Sequence, residues 1–551
     1  MKIKKTTKYS LLVLLGCLVF FFIYSFTSLT IWWPHAQSMG HLIFNWPDAN
    51  ANYFFSQLFA QFNTLSWAEP LNLMTDNILH TRSINVIDGN LVPMTFVWAL
   101  IIFGSIIKFA GLFILFLTPL LAAATVFVLY KLFVLLFKDL NLSLLIVGLL
   151  LPLAPWLFFA NIVMLPTILF IFLLSSGLLC LVAGFKYSGK HLFILGSLLI
   201  ALSIVVRPTE IIWIAAILGL LYYFNYKKIA KQNTIIFASI LILFGFLTLL
   251  FNKFIYGGWF SFGYLNLQNN SLPTEFASQE QNIGTWLKLL FMPFGWQTKI
   301  FLANTWHHLI VLIWPYWLLA ILSLIFLRKQ IINFKSIWCK YLLLASLVSL
   351  LILIYYANWD LADPMVKQYN TISISYVRYF LPIYILSLPF IAQAIKFLTA
   401  FKNKHFKNLL RAFFILILAI LSLKLAFYAP HDGLLATKQT LIDYYHQFEQ
   451  VKDVAPQNSV ILTERSDKIF FPYYRVVVMR DDFLVWPLIE NIINDTEVFY
   501  YTSQSTEQLE DLQIHFQLNN LELVKIKQIN NQFTLFQIKF FDQLDSRIEL
   551  K

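Results

Sequence analysis

The chain has 551 residues, of which 59% are hydrophobic, 17% aromatic and 12% charged, and its mean hydropathy is +0.70. A soluble domain is about 25% charged, so this composition excludes a soluble globular protein and indicates a polytopic membrane protein. The net charge of +12 is unevenly spread, because residues 1–430 hold 29 Lys and Arg against 10 Asp and Glu, whereas residues 431–551 hold 11 against 18. Within a membrane domain a basic excess reports topology, and we expect no nucleic-acid partner.

Eleven apolar segments are long enough, with their flanking residues, to cross a lipid bilayer. They lie near residues 9–31, 112–137, 142–157, 166–185, 191–206, 211–225, 234–252, 306–326, 341–357, 379–399 and 412–428. The first begins like a signal peptide, but its apolar part is long and has no clean cleavage site, so we interpret it as a retained helix.

The apolar run 93–110 competes for a place as a twelfth span, and the basic residues decide against it. With eleven spans and a cytoplasmic N-terminus, 20 of the 29 Lys and Arg residues before position 431 fall on the inner face. A twelfth span would place nearly all the later ones outside, against the positive-inside rule. The run 93–110 is therefore predicted to be an interfacial or re-entrant helix on the outer face.

This topology predicts a multi-pass protein of the cell inner or plasma membrane with most of its polar surface outside. The outer side receives a first loop (32–92) with juxtamembrane helices, a second large loop (253–304), a short loop (358–378) and everything after residue 429. Nine of the ten acids before residue 431 fall on outer loops or helix ends. Transporters and pumps keep acids at mid-bilayer, so this distribution indicates chemistry at the outer surface.

The first outer loop contains the stretch FNWPDANANYFFSQLFAQ (44–61). Its apolar residues recur at the spacing of a helix with one hydrophobic face, and Asp48 is predicted to be the N-cap of that helix. A carboxylate at the outer end of the first membrane helix is also well placed to take a proton from a hydroxyl group. The two roles are compatible, and the sequence leaves both open. Glu69, His80, Arg82 and Asp88 follow in the same loop.

Several loose motifs accompany this aspartate. They are a P-x-x-F-x-W run that ends in FG (93–104), the pair Arg207-Pro208, and VRYFLPIY (377–384). Together with an Asp after the first helix and juxtamembrane helices, they resemble the GT-C glycosyltransferases. Residues 1–430 are most similar to the bacterial relatives of protein O-mannosyltransferases and lipid A aminoarabinose transferases.

This resemblance implies a fold and an activity. The fold would be an all-α polytopic membrane domain, GT-C-like, with about eleven transmembrane helices. The activity would be transfer of a sugar from a polyprenyl-phosphate-linked donor to a hydroxyl-bearing protein, lipid or glycan acceptor on the outer face. Asp48 matches the family's first-loop catalytic Asp. The family often has Asp-Glu there, whereas this chain has Asp48-Ala49, so Glu69 and Asp88 are candidates for an assisting carboxylate.

The predicted chemistry also needs cations, because a departing polyprenyl phosphate carries negative charge. The outer-face candidates for the donor phosphate are Arg82, Arg207 and Arg378, with Lys299 and Lys367 as further possibilities. Arg207 and Arg378 sit at helix ends, where arginine also extends to the lipid headgroups for solvation alone. Both interpretations stay open from the sequence.

The sequence predicts no metal site and no cofactor beyond the lipid-phosphate sugar that serves as donor. The histidines show no metal-ligand spacing apart from the pair His307-His308. Cys17, Cys180 and Cys339 lie in or beside apolar segments, so they indicate neither a disulfide framework nor a cysteine metal site.

Residues 431–551 change in character and predict a C-terminal extracytoplasmic α/β domain. LLATKQTLIDYYHQFEQVK (434–452) is typical of a helix. Strands are predicted at VILTE (460–464), RVVVM (475–479), EVFYY (497–501), LELVKI (521–526) and FTLFQIK (533–539). No set of nucleophile and base is evident, so this domain is expected to face the acceptor or to play a structural part.

Two other functions compete with the transferase. A flippase or transporter of lipid-linked sugars should show charges along a path through the bilayer, and the predicted spans offer almost none beyond Lys424. A polymerase or ligase of surface polysaccharide would depend on outer-loop arginines more than on a first-loop aspartate.

Overall fold

The computed structural model describes residues 2–39, 42–187, 189–225, 230–263, 291–361, 371–479 and 485–541. Lys367, His41 and the part of the second outer loop at 264–290 lie outside the described residues. The protein is mostly helical, with a small sheet domain at its C-terminal end.

Within the described residues, nine helices are long and apolar enough to cross a membrane, and a bent helix pair makes ten. The bent pair is Leu140–Leu150 with Ala154–Ala160, at an angle of 62°. Helix Lys190–Val206 is also apolar but is shorter than these spans. Each of the eleven predicted segments falls on one of these helices, so the chain is a multi-pass membrane protein.

One of the nine covers both the disputed run and the second predicted span. Val97–Phe137 is 41 residues long, and at about 1.5 Å per residue it would measure roughly 60 Å, about twice the bilayer core. A 3₁₀ turn at Gly111–Phe113, in which Gly111 has φ of 56°, separates helix Val97–Ala110 from helix Ile114–Phe137. The helix predicted within 93–110 is confirmed; its place at the membrane surface stays a prediction.

The chain forms two compact units. The first contains residues 1–31, 113–248 and 272–437, and the second contains residues 32–112, 249–271 and 438–551. The boundaries between these ranges at 31/32, 248/249 and 437/438 fall within the helices Lys2–Met39, Lys231–Tyr256 and Leu434–Lys452. The change in composition at residue 430 therefore does not divide the chain in the same way as the two compact units do.

The first unit is built from the apolar helices. They span Lys2–Met39, Ile114–Phe137, Leu140–Leu150, Ala154–Ala160, Pro166–Tyr187, Lys190–Val206, Ile211–Asn225, Lys231–Tyr256, Thr298–Asn304, Trp314–Ile332, Ile337–Tyr356, Ser375–Tyr379, Leu381–Leu398 and Lys404–Tyr428. The first helix is packed into this unit, since Tyr24 is fully buried and its hydroxyl donates to the Leu151 carbonyl oxygen at 2.6 Å.

Residues predicted to lie at the cytoplasmic helix ends contact one another. Lys396 forms an ion pair with Asp139, and Lys131 Nζ donates to Ser10 Oγ at 2.8 Å. Asp139 also caps helix Leu140–Leu150 by accepting from backbone N–H groups. Burial raises the pKa of Asp139, but Lys396 and these N–H groups lower it by more. The pKa of Asp139 is therefore below the ordinary value for an aspartate. These contacts fit the predicted order of the spans.

The first outer loop supplies helix Pro47–Phe62 and most of a small sheet to the second unit. Helix Pro47–Phe62 packs against helix Val97–Ala110, where a Cβ on Gly104 would lie 2.7 Å from the Ser56 carbonyl oxygen. The loop also forms a three-stranded antiparallel sheet of order β1-β3-β2. Its strands are β1 (Trp67–Ala68), β2 (Ile84–Ile87) and β3 (Asn90–Pro93).

The tail forms the predicted α/β domain, and its predicted helix and five strands are confirmed. The elements are helices Leu434–Lys452, Asp467–Phe470, Val485–Glu490 and Thr506–Leu518, with strands β4 (Val460–Thr463), β5 (Arg475–Val478), β6 (Val498–Thr502), β7 (Leu521–Gln528) and β8 (Thr534–Phe540). The sheet order is β5-β4-β6-β8-β7, with β5, β4 and β6 parallel and β8 antiparallel to both its neighbours.

The hydrophobic core of the tail includes residues of the first outer loop. Leu79 is buried in the same cluster as Val460, Leu462 and Trp486, and Leu71 and Ile78 pack against it. The first outer loop and the tail therefore share one core, although they lie far apart in the sequence.

Candidate functional site

Arg207 and Arg378 meet at one aromatic ring in the first unit. Arg207 ends helix Lys190–Val206, and Arg378 lies in the short helix Ser375–Tyr379. Their guanidinium carbons lie 5.0 Å and 4.9 Å from the centre of the Tyr379 ring. Both arginines are buried, at 7% and 8% exposure. The protein encloses them, so extension to lipid headgroups for solvation alone does not describe their environment.

Glu210 holds Arg207 in place. Arg207 Nη2 lies 2.6 Å from Glu210 Oε1, and the Tyr356 hydroxyl donates to the same oxygen at 2.8 Å. The Trp213 indole N–H donates to the other carboxylate oxygen. A buried ion pair is stable only when its remaining hydrogen-bonding groups are satisfied, and these two donors help to satisfy the carboxylate.

Tyr379 links the second arginine to this group. Arg378 Nη2 donates to the Tyr379 hydroxyl at 2.9 Å, and the Tyr379 ring stacks on Tyr356 with centroids 4.1 Å apart. The positive charges of Arg378 and Arg207 are close enough to repel each other. Arg207, Glu210, Tyr356, Arg378 and Tyr379 together form an arginine cluster. Paired guanidinium groups are well suited to bind a phosphate.

Asp48 lies in the second unit, in the first turn of helix Pro47–Phe62. The prediction that it is the N-cap was wrong, because the helix begins at Pro47 and Trp46 occupies the cap position. Proline favours the first helical position, since its φ is already helical and its missing N–H costs nothing there. The Ser83 hydroxyl donates to Asp48 Oδ1 at 2.6 Å. A half-buried carboxylate in this first turn is stabilised in its ionised form by the helix dipole.

Arg82, predicted to bind the donor phosphate, is engaged by the tail. Its Nε and Nη2 donate to Asp467 Oδ1 at 3.0 Å and 2.5 Å, and its backbone N–H donates to Asp467 Oδ2 at 3.0 Å. Nη2 also donates to the Arg465 carbonyl oxygen at 2.7 Å. The Asp467 side chain is completely buried, whereas that of Arg82 is 26% exposed. The guanidinium charge is thus balanced by a carboxylate of the same unit.

Glu69 and Asp88 both have structural contacts. Glu69 accepts from the Leu71 N–H at the start of a 3₁₀ turn, and its Oε2 lies 3.0 Å from Arg475 Nε of the tail. Asp88 is exposed in the two-residue turn between β2 and β3, where Asp88 and Gly89 have φ of 48° and 77°. Two positive φ angles are typical of a type I′ hairpin turn, which favours Asp-Gly.

The other predicted cations and histidines are dispersed. Lys299 is exposed, and His80 Nδ1 lies 3.0 Å from the Thr81 carbonyl oxygen. His308 is buried, and its ring stacks on that of Tyr376. In the part of the chain that the structure describes, no three His, Cys, Asp or Glu residues are grouped to hold a metal ion.

No protein-family model matches this sequence, and no curated protein matches it. Solved structures do match. ArnT from Cupriavidus metallidurans bound to undecaprenyl phosphate superposes with a TM-score of 0.50 at 10% sequence identity, over 96% of this chain and 98% of that one. The apo state of the same protein gives a TM-score of 0.47 at 10% identity, over 97% and 98%. The chain has the GT-C fold.

Within this GT-C fold, the predicted arginine pair is brought together, but its partners were missed. Glu210 lies three residues after Arg207, a spacing at which side chains meet on one helical turn, so the sequence contained a signal for it. Tyr379 directly follows Arg378. Tyr356 and Asp467 are distant in sequence from the arginines they contact, and no local pattern indicates them.

Proposed function

We propose that this protein transfers a sugar from a polyprenyl-phosphate-linked donor to a hydroxyl-bearing acceptor on the outer face of the membrane. The observation that carries the proposal is the meeting of two buried arginines at Tyr379 in a chain with the GT-C fold. The matched ArnT structure has undecaprenyl phosphate bound, which supports a lipid of that class as the group that leaves.

The arginine cluster would bind the phosphate of the donor. In the reaction, the acceptor oxygen forms a bond to the anomeric carbon while the bond from that carbon to the phosphate oxygen breaks. The polyprenyl phosphate leaves with the bonding electron pair and gains negative charge. Arg378 and Arg207 would stabilise that charge as it develops, because they are enclosed in a site where water screens them little.

Asp48 would act as the general base. The acceptor hydroxyl loses its proton as its oxygen attacks, and an ionised carboxylate can accept that proton. The position of Asp48 in the first turn of helix Pro47–Phe62 favours the ionised state, and Ser83 fixes one carboxylate oxygen.

Binding of undecaprenyl phosphate to the purified protein tests the phosphate site. Replacing Arg378 with Gln removes a charge-assisted contact worth about 1.5–3 kcal/mol, so the affinity should fall by about tenfold to a hundredfold. Lys335→Gln is the control, because it removes an exposed positive charge that is not a candidate for the phosphate site. Equal affinity of the Arg378→Gln variant and the unaltered protein would refute this phosphate site.

A transfer assay tests the reaction. Membranes from a strain lacking the gene supply donor and acceptor, purified protein is added, and the polyprenyl phosphate released is measured by mass spectrometry with the glycan product. Asp48→Asn keeps the shape of the side chain but removes the base, so the rate should fall by a factor of about 10²–10⁴. A folded Asp48→Asn protein of normal activity would refute the assignment of Asp48 as base. Movement of the lipid-linked sugar across the bilayer without a glycan product would indicate a transporter.

A further inference from the structure

The segment Thr81–Ser83 connects Asp48 to the tail domain. Ser83 donates its hydroxyl to Asp48 at 2.6 Å, while the preceding residue, Arg82, is held by Asp467. Ser83 has a φ of 68°, the left-handed region that side chains other than glycine rarely adopt. Such a conformation persists only where the surrounding contacts enforce it.

Asp467 provides those contacts. Its carboxylate accepts from both the backbone N–H and the guanidinium of Arg82, so it fixes the main chain as well as the side chain next to Ser83. Asp467 is completely buried, and a buried carboxylate paired with a fork of N–H donors is among the strongest and most directional contacts in proteins. The tail therefore determines where the Ser83 hydroxyl lies.

The neighbouring tail residue holds the start of the Asp48 helix. Lys468 Nζ donates to the backbone and side-chain oxygens of Asn45 at 2.9 Å and 3.1 Å. The Lys468 carbonyl oxygen accepts from Asn50 Nδ2 at 3.2 Å. Asp48 lies between Asn45 and Asn50, so two consecutive tail residues hold the segment around Asp48 and the loop that bonds to it.

We propose that the tail domain completes the reaction site, with Asp467 as a positioning residue that acts through Arg82 and Ser83 on the Asp48 carboxylate. The proposal rests on the function proposed above. It predicts that removing Asp467 or the Ser83 hydroxyl lowers the maximal rate of transfer by about tenfold to a hundredfold, the value of one hydrogen bond to a charged group. The donor KM should change little, because the phosphate site has its own residues.

A double-mutant cycle in the full-length protein separates positioning from stability. Asp467→Asn and Ser83→Ala are each made alone and together with Asp48→Asn, and the transfer rate is measured for all of them. If Asp467 acts through Asp48, each change lowers the rate in the unaltered protein and has no further effect, within about twofold, once Asp48 is Asn. Unaltered binding of undecaprenyl phosphate verifies that each variant is folded.

Arg475→Gln is the matched control. The Glu69–Arg475 ion pair also joins the first outer loop to the tail, and the Arg475 side chain is 31% exposed against 26% for Arg82. The contacts of Arg475 within the described residues go to Glu69 and Asn458 and not to Arg82 or Ser83, so its replacement should change the rate by the same small factor in both backgrounds. Ser83→Ala covers the case in which Asp467→Asn fails to fold, because it leaves the Arg82–Asp467 pair intact.

Two results would overturn the proposal, and they differ. If Ser83→Ala and Asp467→Asn lower the rate by the same factor with and without Asp48, the tail acts on stability alone and the base assignment survives. If Asp48→Asn by itself retains normal activity, the role of Asp48 fails and the positioning proposal fails with it.

Discussion

Arg207 forms an ion pair with a glutamate three residues later, so replacing Arg207 should affect both lipid binding and folding stability. The Glu210 side chain is 3% exposed and shares its carboxylate with Arg207, Tyr356 and Trp213. Without the Arg207 guanidinium, this buried carboxylate would lose the ion pair that the structure gives it. The lipid-binding effect of a single Arg207 substitution is therefore mixed with an effect on folding.

A double replacement separates the two effects. Arg207→Gln should destabilise the protein by about 3–5 kcal/mol, the usual cost of removing one partner of a buried pair. Arg207→Gln combined with Glu210→Gln should recover much of this stability without recovering affinity for undecaprenyl phosphate. Thermal unfolding and lipid binding in the same detergent measure both. A double variant that binds the lipid as tightly as the unaltered protein would remove Arg207 from the phosphate site.

At the residue scale, the sequence was informative about contacts made within a turn and uninformative about contacts between distant segments. The pattern around Asp48 correctly indicated a helix, but the helix starts two positions earlier than predicted, because Pro47 is its first residue and Trp46 its N-cap. Arg82 offered no local signal for its partner, since Asp467 is 385 residues further along the chain. A predicted cation for the donor phosphate therefore turned out to bind a carboxylate of the protein.

The packing of helix Pro47–Phe62 on helix Val97–Ala110 depends on a residue without a side chain. The Ser56 hydroxyl donates to the Leu100 carbonyl oxygen at 3.4 Å, and Gly104 approaches the Ser56 backbone. This glycine ends the FG of the run 93–104, so the close approach of two helices explains the residue type at that point of the motif.

Gly104→Ala should destabilise this helix pair. The new Cβ would lie 2.7 Å from a backbone oxygen, which cannot move without shifting helix Pro47–Phe62, and overpacking of this kind costs about 1–3 kcal/mol. Gly219→Ala is the control, because a Cβ there meets nothing within 4 Å. At that position the exchange should be neutral or stabilising by about 1 kcal/mol, since alanine favours the helix. Thermal unfolding that moves equally in both variants would contradict this account.

The elements of the tail were predictable because strands there are short, rich in β-branched and aromatic residues and separated by polar turns. The hairpin of β2 and β3 was missed in the first outer loop, although Asp88-Gly89 is a strong signal for a two-residue turn. Leu79 packs in the same core as the tail strands, and no local sequence pattern predicts this contact.

For the whole molecule, the eleven predicted apolar segments all fall on helices, and contacts join residues from the same predicted ends. Lys396 with Asp139 represents one end, and Arg207 with Tyr356 the other. Hydropathy and charge suffice for this result, because the bilayer admits few alternatives to apolar helices. Which end faces the cytoplasm is a separate prediction.

Cysteine labelling tests that orientation. Cys17, Cys180 and Cys339 are the three native cysteines, so they are replaced first. Gln61→Cys and Lys525→Cys, both at exposed positions, should react with a membrane-impermeant maleimide on intact cells. Lys404→Cys is also exposed and should react only after permeabilisation, because basic loops stay in the cytoplasm. Labelling of Lys404→Cys on intact cells would contradict the predicted topology and indicate the opposite orientation.

The contact between Arg82 and Asp467 also has a consequence for biosynthesis. The two residues are separated by 385 positions, and chains are synthesised at about 5–20 residues per second, so roughly 20 to 80 s pass between their appearances at the ribosome. During that interval the first loop has already been made, but neither Asp467 nor the strands that bury Leu79 exist. A ribosome that stops after codon 428 but before codon 467 would release a chain that has all its predicted membrane spans but lacks the carboxylate that binds Arg82. Quality control by proteases should recognise such products by the exposed loop.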